Sequence, residues 1–289
     1  MFPLLPAHAM AVDHYENFPV ASLLLPEHLR KPVETIYRFA RGADDIADEG
    51  DAADARRLGS LAQYRSQLRL VVAGDAPMPQ PEGPMFEALG QVIAHHCLPA
   101  KLFEDLLDAF CQDVVQKRYR DFPQLLDYCR RSANPVGRLL LKLYGVNDPA
   151  AFEKSDLICS SLQLINFWQD VAVDLTKGRV YLPQDSLVRF GYASPDEQAS
   201  VCDERFRALM DFEIARARAM LIAGAPLAQR LPGRIGWELS LVVQGGLRIL
   251  EKIEAAGYDV FRMRPVLRRS DWCLMAWRAV GTRIRRSVQ

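Results

Sequence analysis

Long apolar runs, paired cysteines and strand-like alternation are all missing from this sequence of 289 residues. No run of about 18 apolar residues predicts a membrane-spanning helix. No alternating strand pattern lies between Asn-Gly or Asp-Gly turns, which argues against a β-rich fold. A Gly-x-Gly-x-x-Gly motif in a strand–helix setting is also absent, so we expect no nicotinamide cofactor.

The six cysteines are scattered without a Cys-x-x-Cys pair. A chain of this length can bury an adequate core without disulfides, so we expect reduced thiols and a cytoplasmic protein. Residues 1–6 lack the basic region of a signal peptide and are soon followed by Asp13 and Glu16. The amino terminus therefore does not predict secretion.

The formal net charge is zero, but it is unevenly distributed. From Arg262 onward there are eight arginines and a single acidic residue, Asp271. Outside this tail no basic stripe is interleaved with residues that could read bases. We therefore expect no nucleic-acid partner.

Apolar residues recur with helical spacing through most of the chain. One such face consists of Leu102, Leu106, Leu107, Phe110 and Val114. Residues 73–84 are rich in Pro and Gly and predict a loop, and residues 174–195 are expected to be irregular and to serve as a flap. Neither segment is typical of a domain linker. We therefore predict one all-α domain over residues 1–289, with a basic tail from about residue 262 to 289.

Two aspartate clusters are the most informative feature of the chain. Residues 37–49 (YRFARGADDIADE) carry Asp44 and Asp48, and residues 166–174 (NFWQDVAVD) carry Asp170 and Asp174. Each pair is spaced i, i+4, which places both carboxylates on one face of a helix. Either these are solvated faces, or a cation compensates carboxylates that face the core. Mg²⁺ suits such a site because it prefers oxygen ligands and bridges carboxylates to phosphates.

The residues around these pairs leave several roles open. Arg41 either clamps a phosphate or forms a salt bridge with Asp45, which lies one position off the carboxylate face. Asn166, one turn before Asp170, either adds a neutral oxygen ligand or packs between helices.

These motifs, together with residues 178–183 (GRVYLP), resemble the squalene/phytoene synthases. The resemblance spans roughly residues 12–268. It implies an isoprenoid-synthase-type helical bundle with a central cavity, which joins two prenyl diphosphates head to head. Residues 14–22 (HYENFPVAS) and 131–137 (RSANPVG) are most similar to the bacterial hopanoid-pathway branch, hydroxysqualene synthase. Gln169 and Val173 depart from the family, in which Arg and an acidic residue are common at these positions.

The resemblance also implies site residues. Two or three Mg²⁺ ions are expected to bind with the substrate diphosphate at Asp44, Asp48, Asp170 and Asp174. The catalytic candidates are Tyr37, Arg41, Tyr128 and Asn134. The substrate-binding candidates are Ser22, Arg41, Asn166, Arg179, Tyr181 and Arg264.

The implied chemistry proceeds through carbocations, which need an apolar cavity with aromatic faces that excludes stray water. Candidate lining residues are Phe18, Phe39, Phe167, Trp168 and Trp237. The expected reaction converts presqualene diphosphate, made from two farnesyl diphosphates, to hydroxysqualene. Alternatives are presqualene diphosphate, dehydrosqualene or phytoene synthesis, or a non-catalytic assembly factor. Asn134 either holds the water that ends the reaction, beside a kink at Pro135, or caps the helix that begins there.

The C-terminal segment predicts contact with a membrane surface. Its apolar residues are Trp272, Met275, Trp277, Val280 and Ile284, and its basic residues include Arg278, Arg283, Arg285 and Arg286. The alternative is a last helix packed on the core with a solvated basic rim. Membrane contact would place the protein on the inner face of the membrane, near neighbouring enzymes of the hopanoid pathway.

Overall fold

The chain is described here by a computed structural model that covers residues 25–192 and 201–287. Within these ranges the backbone forms helices and an isolated bridge between Arg118 and Val180, with no strand. The all-α prediction is confirmed. The helices are α1 Glu27–Asp48, α2 Asp54–Ala73, α3 Gly83–His96, α4 Ala100–Val115, α5 Phe122–Ser132, α6 Asn134–Leu143, α7 Pro149–Thr176, α8 Gln184–Arg189, α9 Glu204–Gly224, α10 Leu227–Arg230, α11 Gly233–Ala255 and α12 Arg269–Ser287.

Aspartate side chains start three of these helices. Asp121 accepts a hydrogen bond from the Gln124 amide at 2.9 Å, before α5. Asp148 and Asp203 do the same for the first turns of α7 and α9. An N-cap carboxylate satisfies an amide that has no partner within the helix, and its charge suits the positive end of the helix dipole. These starts are therefore determined locally by the sequence.

The predicted loop at residues 73–84 is confirmed, since α2 ends at Ala73 and α3 begins at Gly83. The prediction of an irregular segment from residue 174 to 195 is only partly correct. Helix α7 continues to Thr176 and α8 occupies Gln184–Arg189, with Leu187 buried in the core. Residues 193–195 lie outside the described ranges.

Buried apolar side chains form two clusters on either side of a central cavity. One cluster centres on α1–α4 and the other on α5, α7, α9 and α11. Helices α4 and α6 contribute to both, through Phe103 and Ala109 on α4 and Leu139 and Leu141 on α6. The two clusters form the opposite walls of the cavity, as a helical bundle with a central site requires. That residues 1–289 make up a single domain stays a prediction.

Gly137 allows α6 to approach α7 beside this cavity. A Cβ at this position would collide with Ser155 Oγ and Cys159 Sγ. Gly224 plays the same part between α9 and α7, where a Cβ would lie 2.8 Å from the main-chain oxygen of Lys154. Close packing around α7 therefore depends on glycines contributed by its neighbours.

Helix α12 packs on α11 through a buried acidic anchor. Asp271 is 3% exposed and contacts Arg248 Nε at 2.7 Å and Lys252 Nζ at 2.6 Å. Although burial raises its pKa, these cations and the Arg268 amide hold the pKa of Asp271 well below its usual range. Met275 and Ala279 continue the buried stripe one and two turns later. In the described ranges no helix is long and apolar enough to cross a bilayer.

Candidate active site

A cavity of about 590 Å³ lies between the two clusters, in the size range of small-molecule sites. It follows α1 from Val33 to Asp44, a rise of about 16 Å at 1.5 Å per residue. Its polar end carries Tyr37, Arg41, Asp44, Asp113 and Tyr128, and its remaining wall is largely aliphatic and includes Ile36, Leu139, Leu140, Leu141, Ile158, Leu162, Leu227, Leu231, Ile235, Leu239 and Val242. The cavity can hold a hydrocarbon chain with a charged group at one end.

The predicted aromatic lining is wrong for Phe39, Phe167, Trp168 and Trp237. Phe39 and Trp168 are fully buried within the two core clusters, and Trp237 does not line the cavity. Phe167 stacks on Tyr181 with ring centroids 3.7 Å apart. Phe18 lies outside the described residues. The aromatic residues that do line the cavity are Tyr37, Phe110, Tyr128 and Tyr144.

The first aspartate pair lies on the last turns of α1. Arg41 holds Asp44 at 3.1 Å and Asp45 at 2.6 Å, and it also reaches Glu49 at 3.2 Å. The salt bridge expected between Arg41 and Asp45 is therefore present. Burial raises the pKa of Asp44 despite Arg41.

The second pair lies on the last turns of α7, where Arg264 binds Asp170 through two guanidinium nitrogens, one of them at 3.0 Å. Asp174 is half-buried, and burial together with the charge of Asp170 raises its pKa to about 7. Asn166 is half-buried one turn before Asp170. Asp174 therefore resists carrying its negative charge beside Asp170.

The loop after α7 brings the two pairs together. Arg179 donates to Asp48, and Lys177 Nζ lies 3.0 Å from the same carboxylate. The Arg179 amide also donates to the Asp174 carbonyl at 2.9 Å. Burial raises the pKa of Asp48, but the hydrogen bonds from Arg179 and Lys177 lower it by more, so its pKa lies below the usual value of an aspartate. The carboxylates of α1 and α7 thus face each other across one positively charged loop.

This donor set fits Mg²⁺ bound together with a diphosphate. In the described ranges no three His, Cys, Asp or Glu side chains are arranged to hold a metal by themselves. Mg²⁺ is usually bound through one or two carboxylates and substrate phosphates rather than by an all-protein cage. Arg179 neutralises Asp48 of the first pair, and Arg264 neutralises Asp170 of the second. A guanidinium displaced by a metal could bind phosphate oxygens.

Asp113 is a site residue that sequence reasoning missed. It lies on α4, is 8% exposed, and its Oδ2 accepts a hydrogen bond from Tyr128 Oη at 2.8 Å. Its signal in the sequence is a charged residue on the same helix face as Leu106, Ala109 and Phe110. The ring of Tyr128 lies near the rings of Tyr119, Phe167 and Tyr181.

Asn134 does not occupy the capping position that the sequence predicted as one of its two roles. Helices α5 and α6 are separate, with Ala133 as the N-cap of α6, so the predicted cap by Asn134 is wrong. The Asn134 Oδ1 instead accepts a hydrogen bond from Ser160 Oγ at 2.8 Å. Ser132 and Val136 line the cavity, but Asn134 does not. Its role in holding water stays a prediction, and Ser22 lies outside the described residues.

Gln169, which departs from the expected motif, has a structural role on α7. It is 1% exposed, and its Nε2 donates to the Pro265 carbonyl. The neighbouring Arg264 binds Asp170. Two consecutive residues of α7 therefore hold residues 264–265 against the carboxylate site.

Known proteins resemble this chain over most of its length. A model of the squalene/phytoene synthase family matches residues 11–271. The hydroxysqualene synthase of Rhodopseudomonas palustris is 31% identical over 271 residues, covering 93% of this chain and 89% of that protein. The 15-cis-phytoene synthase of Synechococcus elongatus is 29% identical over 289 residues, covering 91% and 92%.

A solved structure supports the same relationship. The squalene synthase HpnC of Alicyclobacillus acidocaldarius matches with a TM-score of 0.77 at 38% identity, over 85% of this chain and 90% of that chain. A dehydrosqualene synthase in complex with ligand also reaches a TM-score of 0.77, at 22% identity, and supports the fold alone.

Proposed function

Since this chain belongs to the squalene/phytoene synthase family, whose enzymes make isoprenoids from prenyl diphosphates, we propose that it converts presqualene diphosphate to hydroxysqualene. The substrate would come from two farnesyl diphosphates, and the reaction would release diphosphate with Mg²⁺ as a step of hopanoid or other triterpenoid biosynthesis. The observation that carries this proposal is an apolar cavity with Asp44 at its polar end, next to a loop in which Arg179 binds Asp48 of the first pair and acts on the charge of Asp174 of the second. The similarity to hydroxysqualene synthases supports the product.

Each part of the site has a task in this reaction. Asp44, Asp48, Asp170 and Asp174 would hold Mg²⁺, which supplies neutralisation of the departing diphosphate. Arg41, Arg179 and Arg264 orient the phosphates by exchanging a carboxylate for a phosphate oxygen. The aliphatic wall binds the prenyl chains and keeps bulk water from the cations.

Product analysis tests the proposal. Farnesyl diphosphate and presqualene diphosphate are supplied separately, with Mg²⁺ or with EDTA, and products are identified by mass spectrometry. We expect hydroxysqualene and diphosphate from presqualene diphosphate, and neither product in EDTA. A hydrocarbon product would favour the dehydrosqualene or phytoene synthase alternative, which similarity to phytoene synthases also supports. No diphosphate release from any prenyl diphosphate would favour a non-catalytic assembly factor.

We further propose that α12 contacts an anionic membrane surface, which would give a hydrophobic product an exit towards other pathway enzymes. Trp277 is 73% exposed, and Trp272 and Val280 are also exposed. Two expected contacts change: Met275 is buried, and Arg278 forms a salt bridge with Glu251 at 2.5 Å. The side chains of Ile284, Arg283, Arg285 and Arg286 lie outside the described part. Exposed Trp residues on an amphipathic helix are typical of interfacial binding.

Liposome flotation of point variants tests this contact. Truncation after Asp271 would also remove Met275 and Ala279 from the core, so substitutions give a cleaner answer. We expect the wild type to float with anionic vesicles more than with neutral ones, because basic residues add about 1 kcal/mol each near an anionic surface. The double variant Trp272→Ser, Trp277→Ser should lose most of this recovery. Ile222→Ser, which alters an exposed apolar residue of α9, is the control. Equal recovery of all three proteins on both vesicles would reject the contact.

A further inference from the structure

Asp113 is a buried carboxylate at the polar end of the cavity that no part of the metal chemistry uses. Its Oδ2 accepts the hydrogen bond of Tyr128, whereas its Oδ1 is buried and finds no hydrogen-bond partner among the residues that the structure describes. Lys117, one turn further along, donates at 2.5 Å to the main-chain carbonyl of Asp113 and not to its carboxylate. Unsatisfied buried carboxylate oxygens are costly, and their presence in a cavity points to a function.

Tyr128 connects this carboxylate to the cavity. Its hydroxyl donates to Asp113, so the phenolic oxygen keeps its lone pairs as acceptors. The residue is 4% exposed, and the rings of Tyr119, Phe167 and Tyr181 lie between 5.6 and 6.2 Å from its own. These rings shield the hydrogen bond from bulk water. A proton released in the cavity therefore has a path through Tyr128 Oη to Asp113 Oδ2.

We infer that Asp113 is the proton acceptor for the step that ends the carbocation sequence, with Tyr128 as the relay. This inference rests on the proposed function. Water adds to the final carbocation through a new C–O bond, and one O–H bond of that water then breaks. Its proton passes to Tyr128 Oη while the proton of Tyr128 passes to Asp113. The products are the alcohol and a neutral Asp113 carboxyl, and no electrons are gained or lost overall.

The charges around Asp113 suit a base of moderate strength. Burial outweighs the hydrogen bond from Tyr128 and the charge of Arg179, which lower its pKa, and the net result is a pKa raised to about 7. Asp44 and Asp48 of α1 raise it again. Lys117 and Tyr119 follow α4 in the chain, and Tyr181 lies beside Tyr128. A carboxylate with this environment can take up a proton at neutral pH and return it to solvent after turnover.

The variant Asp113→Asn separates proton transfer from positioning. The amide oxygen of Asn still accepts the Tyr128 hydrogen bond but cannot take up a proton. With presqualene diphosphate and Mg²⁺, we expect kcat to fall on the order of 10²-fold or more, with KM changed much less. In the wild type kcat should fall on the acidic side of its pH profile as Asp113 becomes protonated, because burial raises the pKa of this carboxyl above its usual range. This acidic limb should be absent from the variant.

Asp105→Asn is the matched control, because Asp105 is another buried carboxylate of α4 and does not line the cavity. It should keep the wild-type rate and pH profile. Tyr128→Phe should lose rate as well, and the double variant with Asp113→Asn should lose little more, since both residues act in one relay. A wild-type rate in Asp113→Asn, or a slow variant that keeps the acidic limb, would overturn the inference. A wild-type protein that makes no alcohol would instead overturn the proposed function.

Discussion

Replacing Asp44 or Asp170 by Ala is expected to abolish most diphosphate release while the fold survives. Each change removes a carboxylate from the pair that would hold Mg²⁺ against the substrate. A metal contributes several kcal/mol of charge stabilisation to the transition state, so the loss should be on the order of 10³-fold in kcat. Stability should change little for Asp44→Ala, because burial already opposes the charge of Asp44 and Arg41 keeps Asp45 and Glu49 as partners.

Asp45→Ala provides the graded comparison. Asp45 also pairs with Arg41 but lies one position off the helix face that carries Asp44 and Asp48, so its loss should slow diphosphate release only several-fold. Diphosphate release is measured at saturating Mg²⁺, and circular dichroism verifies the helical fold. Near-full activity of both Asp44→Ala and Asp170→Ala would refute the metal assignment.

Replacing Arg179 by Met is expected to destabilise the metal-free protein by about 3 kcal/mol, the scale seen when one partner of a buried ion pair is removed. Arg179 is 12% exposed, and its side chain binds the Asp48 carboxylate. Without Arg179, Asp48 still has the more exposed Lys177 as a partner. The pKa of Asp174 should rise further, because the charge of Arg179 also lowers that pKa. Lys177→Met is the control and should cost less than about 1 kcal/mol, as exposed pairs do.

The pH dependence of this loss has a definite sign. Arg179 lowers the pKa of Asp48 in the folded protein. The stability that this pair contributes is therefore fully present above the unfolded pKa of about 4, and it is lost as pH falls through the lower folded pKa. The pKa of Asp174 is raised to about 7 in the folded protein, so ionisation of this carboxylate lowers the free energy of unfolding as pH rises towards neutral. Urea unfolding should therefore show a larger difference between wild type and Arg179→Met at pH 8 than at pH 5. Added Mg²⁺ and pyrophosphate should narrow it, and a difference independent of pH would contradict this account.

Local rules explain which parts of the fold and site could be predicted. Asp44 and Asp48 are spaced i, i+4, as are Asp170 and Asp174, and helix geometry alone places each pair on one helix face. The Pro- and Gly-rich loop before α3 follows from the limits that these residues place on the backbone. The packing of α12 on the core was anticipated as one of two alternatives, although Met275, expected at the membrane, belongs to the buried stripe with Asp271 and Ala279. The family resemblance added the expectation of a central cavity.

The errors concern contacts between residues that are distant in the chain. Phe39 and Trp168 were expected to line the cavity, but helix rotation turns both into the core. Asn134 was expected to cap α6, but its side chain instead contacts Ser160, which lies on α7. Nothing in the local pattern distinguishes an aromatic residue of the core from one of a cavity, because both lie on apolar helix faces.

The sequence by itself determined the helices, several of their caps, the loop before α3 and the two carboxylate faces, because neighbours along the chain dictate each of these. Only the tertiary structure decided that Arg179 would join the two faces through Asp48, that Gln169 would hold Pro265, and that Asp113 would meet Tyr128 at the cavity wall. These contacts depend on how α1, α4, α5 and α7 are rotated and spaced against one another. That arrangement results from the packing of the whole core, which no short stretch of sequence contains.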